Sequence, residues 1–219
     1  MQPTRRLLRR ALIAGATATL LVTGAGAAVA VPATPAAASA PASAGALPYA
    51  GTMLSTGTSP YARLRSVAAL SAERLATGDL VAAAKWGTGS PIDDPVREQA
   101  VLESVTEQAR RAGADPGATV RIFRDQIEAS KIVQRGLHHR WDADPAQAPA
   151  GRPDLGEVRE EINRINGELV RAIARSPHAR SAPYCGPLMA GAAASVGHAQ
   201  HLDPLHGVAL ARSLRSVCG

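Results

Sequence analysis

The sequence predicts an all-α fold, a single bundle of about six helices over residues 59–219, on three observations. Along its longer segments apolar side chains recur every three or four residues, the spacing of a buried helix face. No stretch keeps the apolar–polar alternation of a half-buried strand, and aromatic residues make up only 3% of the chain. Aspartate or proline stands where most of the periodic segments begin, as expected of helix starts.

The first helix is expected from about Pro60 to Trp86, with proline at its start and Val67, Leu70, Val81 and Ala82 on one face. The loop Gly87-Thr88-Gly89-Ser90-Pro91 follows. A second helix runs from about Asp94 to Gly113, where Asp94 suits the N-cap, Pro95 the first helical position and Glu98 the first turn. The third extends from Pro116, capped by Asp115, to Trp141. After a Pro/Ala loop the fourth runs from Asp154 to Arg175. Two shorter helices are expected over 183–197 and 203–217.

The first 58 residues have a different character. Arg5, Arg6, Arg9 and Arg10 precede an uncharged run, Ala11 to Ala30, that ends in Ala28-Val29-Ala30. A basic segment, an apolar stretch and a small-residue site describe a secretory signal peptide over 1–30. Cleavage after Ala40 or Ala44 fits as well, and an uncleaved anchor is the competing reading, since twenty apolar residues just span a bilayer. Residues 31–58 are Pro, Ala, Ser, Thr and Gly with almost no large apolar side chain, the composition of a disordered linker. The chain carries +6, but removing 1–30 leaves 20 bases against 18 acids, or +2. That balance argues against a nucleic-acid partner. The expected location is therefore secreted or periplasmic, with no membrane attachment after cleavage. In an oxidising compartment the only two cysteines, Cys185 and Cys218, read as a disulfide. Closing their 33-residue separation stabilises by roughly 3–4 kcal/mol in the chain-entropy treatment.

Five polar side chains stand where the helical stripes call for apolar ones: Arg74, Lys85, Ser130, Gln134 and Arg159. Arg74 and Lys85 are eleven residues apart, almost three full turns, and so leave the helix in nearly one direction. Phe123, Ile127, Ser130, Gln134, Leu137 and Trp141 follow a 4-3-4-3-4 seam with the two polar residues at its centre. Arg159 precedes Ile162 on the side shared with Leu155, Ile165, Leu169 and Ile173. Asp94 and Arg97, three apart, are close enough to pair. Taken singly, each has an ordinary explanation: cations snorkel or pair, a helical serine bonds its own carbonyl, an acid caps a helix. Together they describe a helical interior that holds a small polyanion.

No GxSxG elbow, glycine-rich phosphate loop or HExxH is present. His138-His139 and His198, His201 and His206 lie near helix ends without a matching thiolate or carboxylate set, so no metal and no cofactor is expected. A pocket of cations, one amide, one hydroxyl and one carboxylate lacks a nucleophile. It can orient an anion and stabilise charge that develops within it, which suits unimolecular rearrangement of a dicarboxylate.

These residues, in order, resemble the all-helical chorismate mutases, specifically their exported, disulfide-bearing members. The matching pattern is Arg74, Lys85-Trp86, Pro91-Ile92-Asp93-Asp94 with Arg97, Asp125-Gln126-Ile127 leading to Ser130 and Gln134, then Arg159 and the pair Cys185 and Cys218. It spans about Pro60 to Cys218. The resemblance implies conversion of chorismate to prephenate, the chemistry of phenylalanine and tyrosine biosynthesis in the shikimate pathway, here outside the cytoplasm. It implies a homodimer whose pockets each lie within one chain, with Arg159 replacing a cation that shorter members borrow from a partner. Arg74 and Arg159 would grip the carboxylates, and Lys85 a carboxylate and the ether oxygen. Gln134 would donate to that oxygen, and Asp94 would accept from the ring hydroxyl. Arg97 and Ser130 would complete the shell. An inactive exported binding protein for a small dicarboxylate is the alternative, and a bundle whose polar residues face solvent is a third.

Three positions, Gln134, Val101 and Glu98, qualify the resemblance. Val101 stands where an exported relative has an amide, and Glu98 resembles cytoplasmic members, in which an acid there meets the substrate hydroxyl. Some exported members also place Glu where this chain has Gln134. An amide donates a hydrogen bond without first being protonated. Turnover should therefore show no loss attributable to this group between about pH 5 and 8. A pH–rate profile falling steeply there, and levelled by Gln134→Ala, would contradict the assignment.

Overall fold

The computed structural model describes residues 58–219, which form seven α-helices and no strand. They are α1 (Pro60–Lys85), α2 (Pro95–Ala112), α3 (Pro116–Ala143), α4 (Leu155–Ala174), α5 (Pro177–Ser181), α6 (Cys185–Ala199) and α7 (Pro204–Ser213), with one 3-10 turn at Pro145–Gln147. The expected signal peptide, 1–30, lies outside the described residues, as does the expected linker, 31–58, except for its last residue. The helix count exceeds the expected six by α5, whose five residues are too few to show a period. The last helix stops at Ser213 rather than near 217. Beyond it the chain turns so that the Ser216 N–H reaches Asp125 and Cys218 reaches Cys185.

Five of the seven helix starts, all but those of α5 and α6, share one device. Ser59 Oγ accepts from the Ala62 N–H at 3.2 Å, and Asp94, Asp115, Asp154 and Asp203 accept from first-turn amides in the same way. Proline follows Ser59, Asp94, Asp115 and Asp203, removing a donor that has no partner inside a first turn. Each such cap is worth about 1 kcal/mol. At the other end of α2, Gly113 takes φ 71°, the left-handed cap that side chains avoid.

α1 is the hub, packing on α3, α4, α6 and α7, while α3 also meets α2 and α7. Leu64, Val67 and Leu75 from α1 meet Ile122, Phe123 and Val133 from α3 and Leu169 and Ile173 from α4 in a core closed to solvent. Burying each such side chain contributes about 1.5–3 kcal/mol. Phe123 is the largest, and its truncation to alanine would cost about 3–5 kcal/mol. At the end of the bundle, Trp86 packs edge to face on His138 and on Trp141, with His138 Nε2 donating to the Ala82 carbonyl at 2.9 Å.

Polar staples fix how α7 and the tail sit. Gln126 Nε2 donates to Ser71 Oγ at 2.8 Å and to the Ser213 carbonyl at 3.1 Å, tying α3 to α1 and α7. Asp125 accepts from Arg212 and from the Ser216 N–H. The Cys185–Cys218 disulfide joins α6 to the C-terminus, and Arg180 Nε donates to the Val217 carbonyl beside it.

His206 bridges two carboxylates, Nδ1 to Asp203 at 2.7 Å and Nε2 to Asp79 of α1 at 2.8 Å. The hydrogen bond to Asp79, opposed by partial burial and supported by Asp203, raises its pKa to about 9. An unfolded histidine titrates near 6.5. The bridge therefore stabilises fully below about pH 6.5 and is lost as pH rises through about 9. Urea unfolding of the unmodified chain and of His206→Gln should differ at pH 6 and converge near pH 10. An equal difference at both would remove the ionic bridge.

Candidate active site

The site begins at a helix crossing. Gly78, one turn beyond Arg74 on α1, carries no side chain, and a Cβ there would lie 3.4 Å from Ser130 Oγ of α3. Beside this crossing, under the first turns of α2 and α4, a cavity of about 120 Å³ opens to solvent. Arg74, Lys85, Asp94, Arg97, Ser130, Gln134 and Arg159 all line it, from α1, α3, α4 and the start of α2. Val81, Ile92, Val101, Ile127, Leu155 and Ile162 supply the apolar walls. A wider groove of about 740 Å³, lined by Glu73, Glu168, Arg171 and Arg175, is shallow and open to bulk water. Size alone does not mark the site.

Arg74 is the deepest cation. Its Nε donates to Asn166 Oδ1 of α4 at 2.9 Å and its Nη1 to the Gln126 carbonyl of α3 at 3.0 Å. Both acceptors are neutral, and among the described residues no carboxylate pairs with it. Burial lowers its pKa to about 10, so it stays cationic at neutral pH while bearing the cost of desolvation. Lys85 is half-buried. Its Nζ donates to the carbonyls of Pro91 at 2.8 Å and Ile92 at 3.3 Å, which leaves its third hydrogen free of both. Burial lowers its pKa, with Asp94 opposing and Arg159 adding to the effect.

Gln134 and Ser130 meet as their one-turn spacing implies, Nε2 lying 3.2 Å from Ser130 Oγ. Gln134 Oε1 is buried without a partner. Turning the amide by 180° lets the Ser130 hydroxyl donate to that oxygen and frees the NH2 group for a ligand. Asp94 and Arg97 do not form the expected side-chain pair. Asp94 Oδ1 accepts instead from the Arg97 backbone N–H at 3.0 Å, and the Asp94 N–H donates to Glu98 Oε1 at 3.3 Å. Arg97's guanidinium is thereby left available to the cavity it lines.

Arg159 corrects the expected placement. It is exposed at the rim, whereas Val158 takes the buried position one residue earlier. Leu155 and Ile162 on its side are only half-buried, because the start of α4 stands over the cavity and not over a packed helix. Ile165, Leu169 and Ile173 further along are buried as their spacing predicts.

Three participants escaped the sequence reading. Asn166, four residues after Ile162, carried the same signal as the others, a polar group in an apolar stripe. Lys131 lies next to Ser130 and about 100° round the helix from the seam, so periodicity placed it outside the set. Its ammonium meets Glu128 at 2.8 Å, Glu98 at 3.0 Å and Asp93 at 3.3 Å. Asp93 sits beside Asp94 with no pattern of its own. The lining then carries five cations, Arg74, Lys85, Arg97, Lys131 and Arg159, against the carboxylates of Asp94 and Glu98, a net +3. It contains no thiol or imidazole, and its one hydroxyl faces an amide, not a base. Such a cavity binds anions and stabilises charge but does not activate a nucleophile.

Comparison with known proteins identifies the family. The family profile "Chorismate mutase type II" matches residues 65–135, the stretch from α1 through Gln134. A secreted chorismate mutase of Mycolicibacterium smegmatis is 41% identical over 147 residues, 67% of this chain and 81% of the relative. One from Mycobacterium tuberculosis is 35% identical over 162 residues, 74% of this chain and 80% of the relative. Among solved structures, a chorismate mutase from Burkholderia thailandensis superposes with a TM-score of 0.68 at 36% identity, over 71% of this chain and 99% of that one. With the ordered cations, the amide and the disulfide all in place, the chain belongs to the all-helical, type II chorismate mutases.

Proposed function

We propose that this chain converts chorismate to prephenate by the [3,3] rearrangement, binding the substrate in the cavity between α1, α2, α3 and α4. The observation that carries the reading is a buried guanidinium, Arg74, held by neutral acceptors and turned to a cavity of net positive charge. Chorismate is a dianion, and a carboxylate at Arg74 would supply the missing countercharge as a charge-assisted pair.

The reaction breaks the ether C–O bond and forms a C–C bond within one molecule, so no atom or electron enters or leaves. Its rate depends on holding the chain of the ether over the ring and on stabilising negative charge that grows on the ether oxygen. Arg74 and Arg159 are assigned to the two carboxylates. Lys85, with one hydrogen beyond its two carbonyl bonds, is assigned to the ether oxygen and a carboxylate. The amide of Gln134, with Ser130 holding its oxygen, donates to the same ether oxygen. Asp94 accepts from the ring hydroxyl, and Arg97 completes the shell. Glu98 has no substrate role in this scheme, since it already accepts from Lys131 and from the Asp94 N–H.

Several features belong to the same reading. The relatives named as secreted enzymes and the basic–apolar N-terminus together support export, with residues 1–30 as a cleaved signal and 31–58 as a linker before the catalytic domain. No helix among the described residues is long and apolar enough to cross a membrane. The working form is assigned as a homodimer with one complete pocket in each chain. The reaction belongs to the route to phenylalanine and tyrosine. The inactive-binder alternative has no observation that favours it.

Mixing the full chain with chorismate and following its ultraviolet absorbance tests the reading directly, and absence of prephenate would refute it. Among variants, Lys85→Ala should depress kcat most, about a hundred- to a thousandfold, because its contact strengthens as charge develops. Arg159→Ala should raise KM more than it lowers kcat, because an exposed rim cation acts chiefly on binding. Equal effects of Arg159→Ala on both constants would undo that division.

A further inference from the structure

Lys131 is the cavity cation to which the scheme above assigns no contact with substrate. Its side chain is only 11% exposed and is enclosed by Glu128, Glu98 and Asp93. Burial works against its charge, but hydrogen bonds to those three carboxylates outweigh it and raise its pKa. One turn further along α3, Arg135 Nη2 reaches both oxygens of Asp93, at 2.7 and 2.8 Å. Asp93 is thus gripped from α3 by two cations. It directly follows Pro91 and Ile92, whose carbonyls receive the Lys85 ammonium. A continuous path therefore runs from α3 through Asp93 to the loop and on to Lys85.

Resting on the mutase reading, we propose that Lys131 is a positioning residue for Lys85: it pins the Pro91–Asp94 loop to α3 and keeps the cavity-lining Glu98 carboxylate paired. Without its ammonium the loop keeps only the exposed Arg135 fork as its side-chain tie to α3, and Glu98, already bonded to the Asp94 N–H, is left an unpaired carboxylate near Asp94 and Lys85. Exposed pairs such as Arg135–Asp93 contribute little to stability. Their effect should therefore appear in catalysis before it appears in folding.

The test is steady-state kinetics on the full chain. Lys131→Met should lower kcat about tenfold with KM changed less than about threefold, because a small misplacement of a catalytic group is costly. Lys131→Arg, which keeps the charge, should recover most of the rate. Arg135→Leu, outside the cavity and touching Asp93 alone, should lower kcat in the same direction with little change in Tm. Wild-type kcat in Lys131→Met overturns the proposal. So does a rise in KM alone, which would make Lys131 a steering charge and not a positioning one. If Lys131→Met does not fold, Arg135→Leu decides on the same two criteria. Failure of the unmodified chain to form prephenate would instead remove the reading beneath the proposal, before any variant is compared.

Discussion

A guanidinium buried without a countercharge is the constraint around which this bundle is arranged. Arg74 must be held still, yet a carboxylate that held it would also neutralise it and compete with an anionic ligand. Asn166 and the Gln126 carbonyl solve both problems, since neutral acceptors fix direction and leave the charge unspent. They come from α4 and α3, so the arginine stays aligned only while α1 keeps its place against both helices. The apolar layers of Leu75, Phe123, Val133 and Leu169 enforce that place. The core thus sets the position of one charge, and the depressed pKa of Arg74 records what its burial costs.

The carboxylates follow the opposite logic. Asp93, Glu98 and Glu128 lie near the same cavity and would weaken its attraction for a dianion if they stood free. Lys131 and Arg135 gather them. Asp94 alone among the acids of this segment has no cation within ion-pair distance among the described residues, and it keeps one oxygen on the Arg97 amide. Its carboxylate at the N-cap also meets the positive end of α2, an attraction that draws nothing from the cations opposite. Sorting by partner, more than by residue type, separates the acid assigned to the hydroxyl from those that hold the fold.

Much of this was legible in the sequence because the main signal was a conflict between levels. A polar residue in an apolar stripe needs an explanation, and Arg74, Lys85, Ser130 and Gln134 were marked by that conflict before any geometry was known. The helix starts were equally plain, since Asp-Pro pairs carry their own mechanism. Asn166 carries the same conflict, whereas Lys131 and Asp93 lack a period. Lys131 lies off the seam and Asp93 lies in a loop, so their roles depend on how α2 docks on α3. That docking is a tertiary fact with no local signature. The exposure of Arg159 was misplaced for a related reason. Periodicity gives the direction in which a side chain leaves its helix, but not whether that direction meets packed atoms or an open cavity. Only the second half of α4 meets packed atoms. The five-residue α5 was invisible because it is shorter than the period that would reveal it.

The cations form a gradient, from buried Arg74 through half-buried Lys85 to exposed Arg159. A unit charge acts about four times more strongly at an effective dielectric of 20 than in bulk water. In the proposed scheme Arg159 would therefore attract and orient an incoming dianion but add little to what distinguishes a transition state from its ground state. Lys85 is half-buried with its direction fixed by loop carbonyls, and in the proposed scheme a charge growing on a single oxygen there would be felt most. A fully buried lysine in its place would lose its proton more readily, and a fully exposed one would be screened. Half-burial against two carbonyls satisfies both limits. On that assignment the loop Pro91–Asp94, which supplies those carbonyls, would matter to the chemistry as much as the helix that carries Lys85.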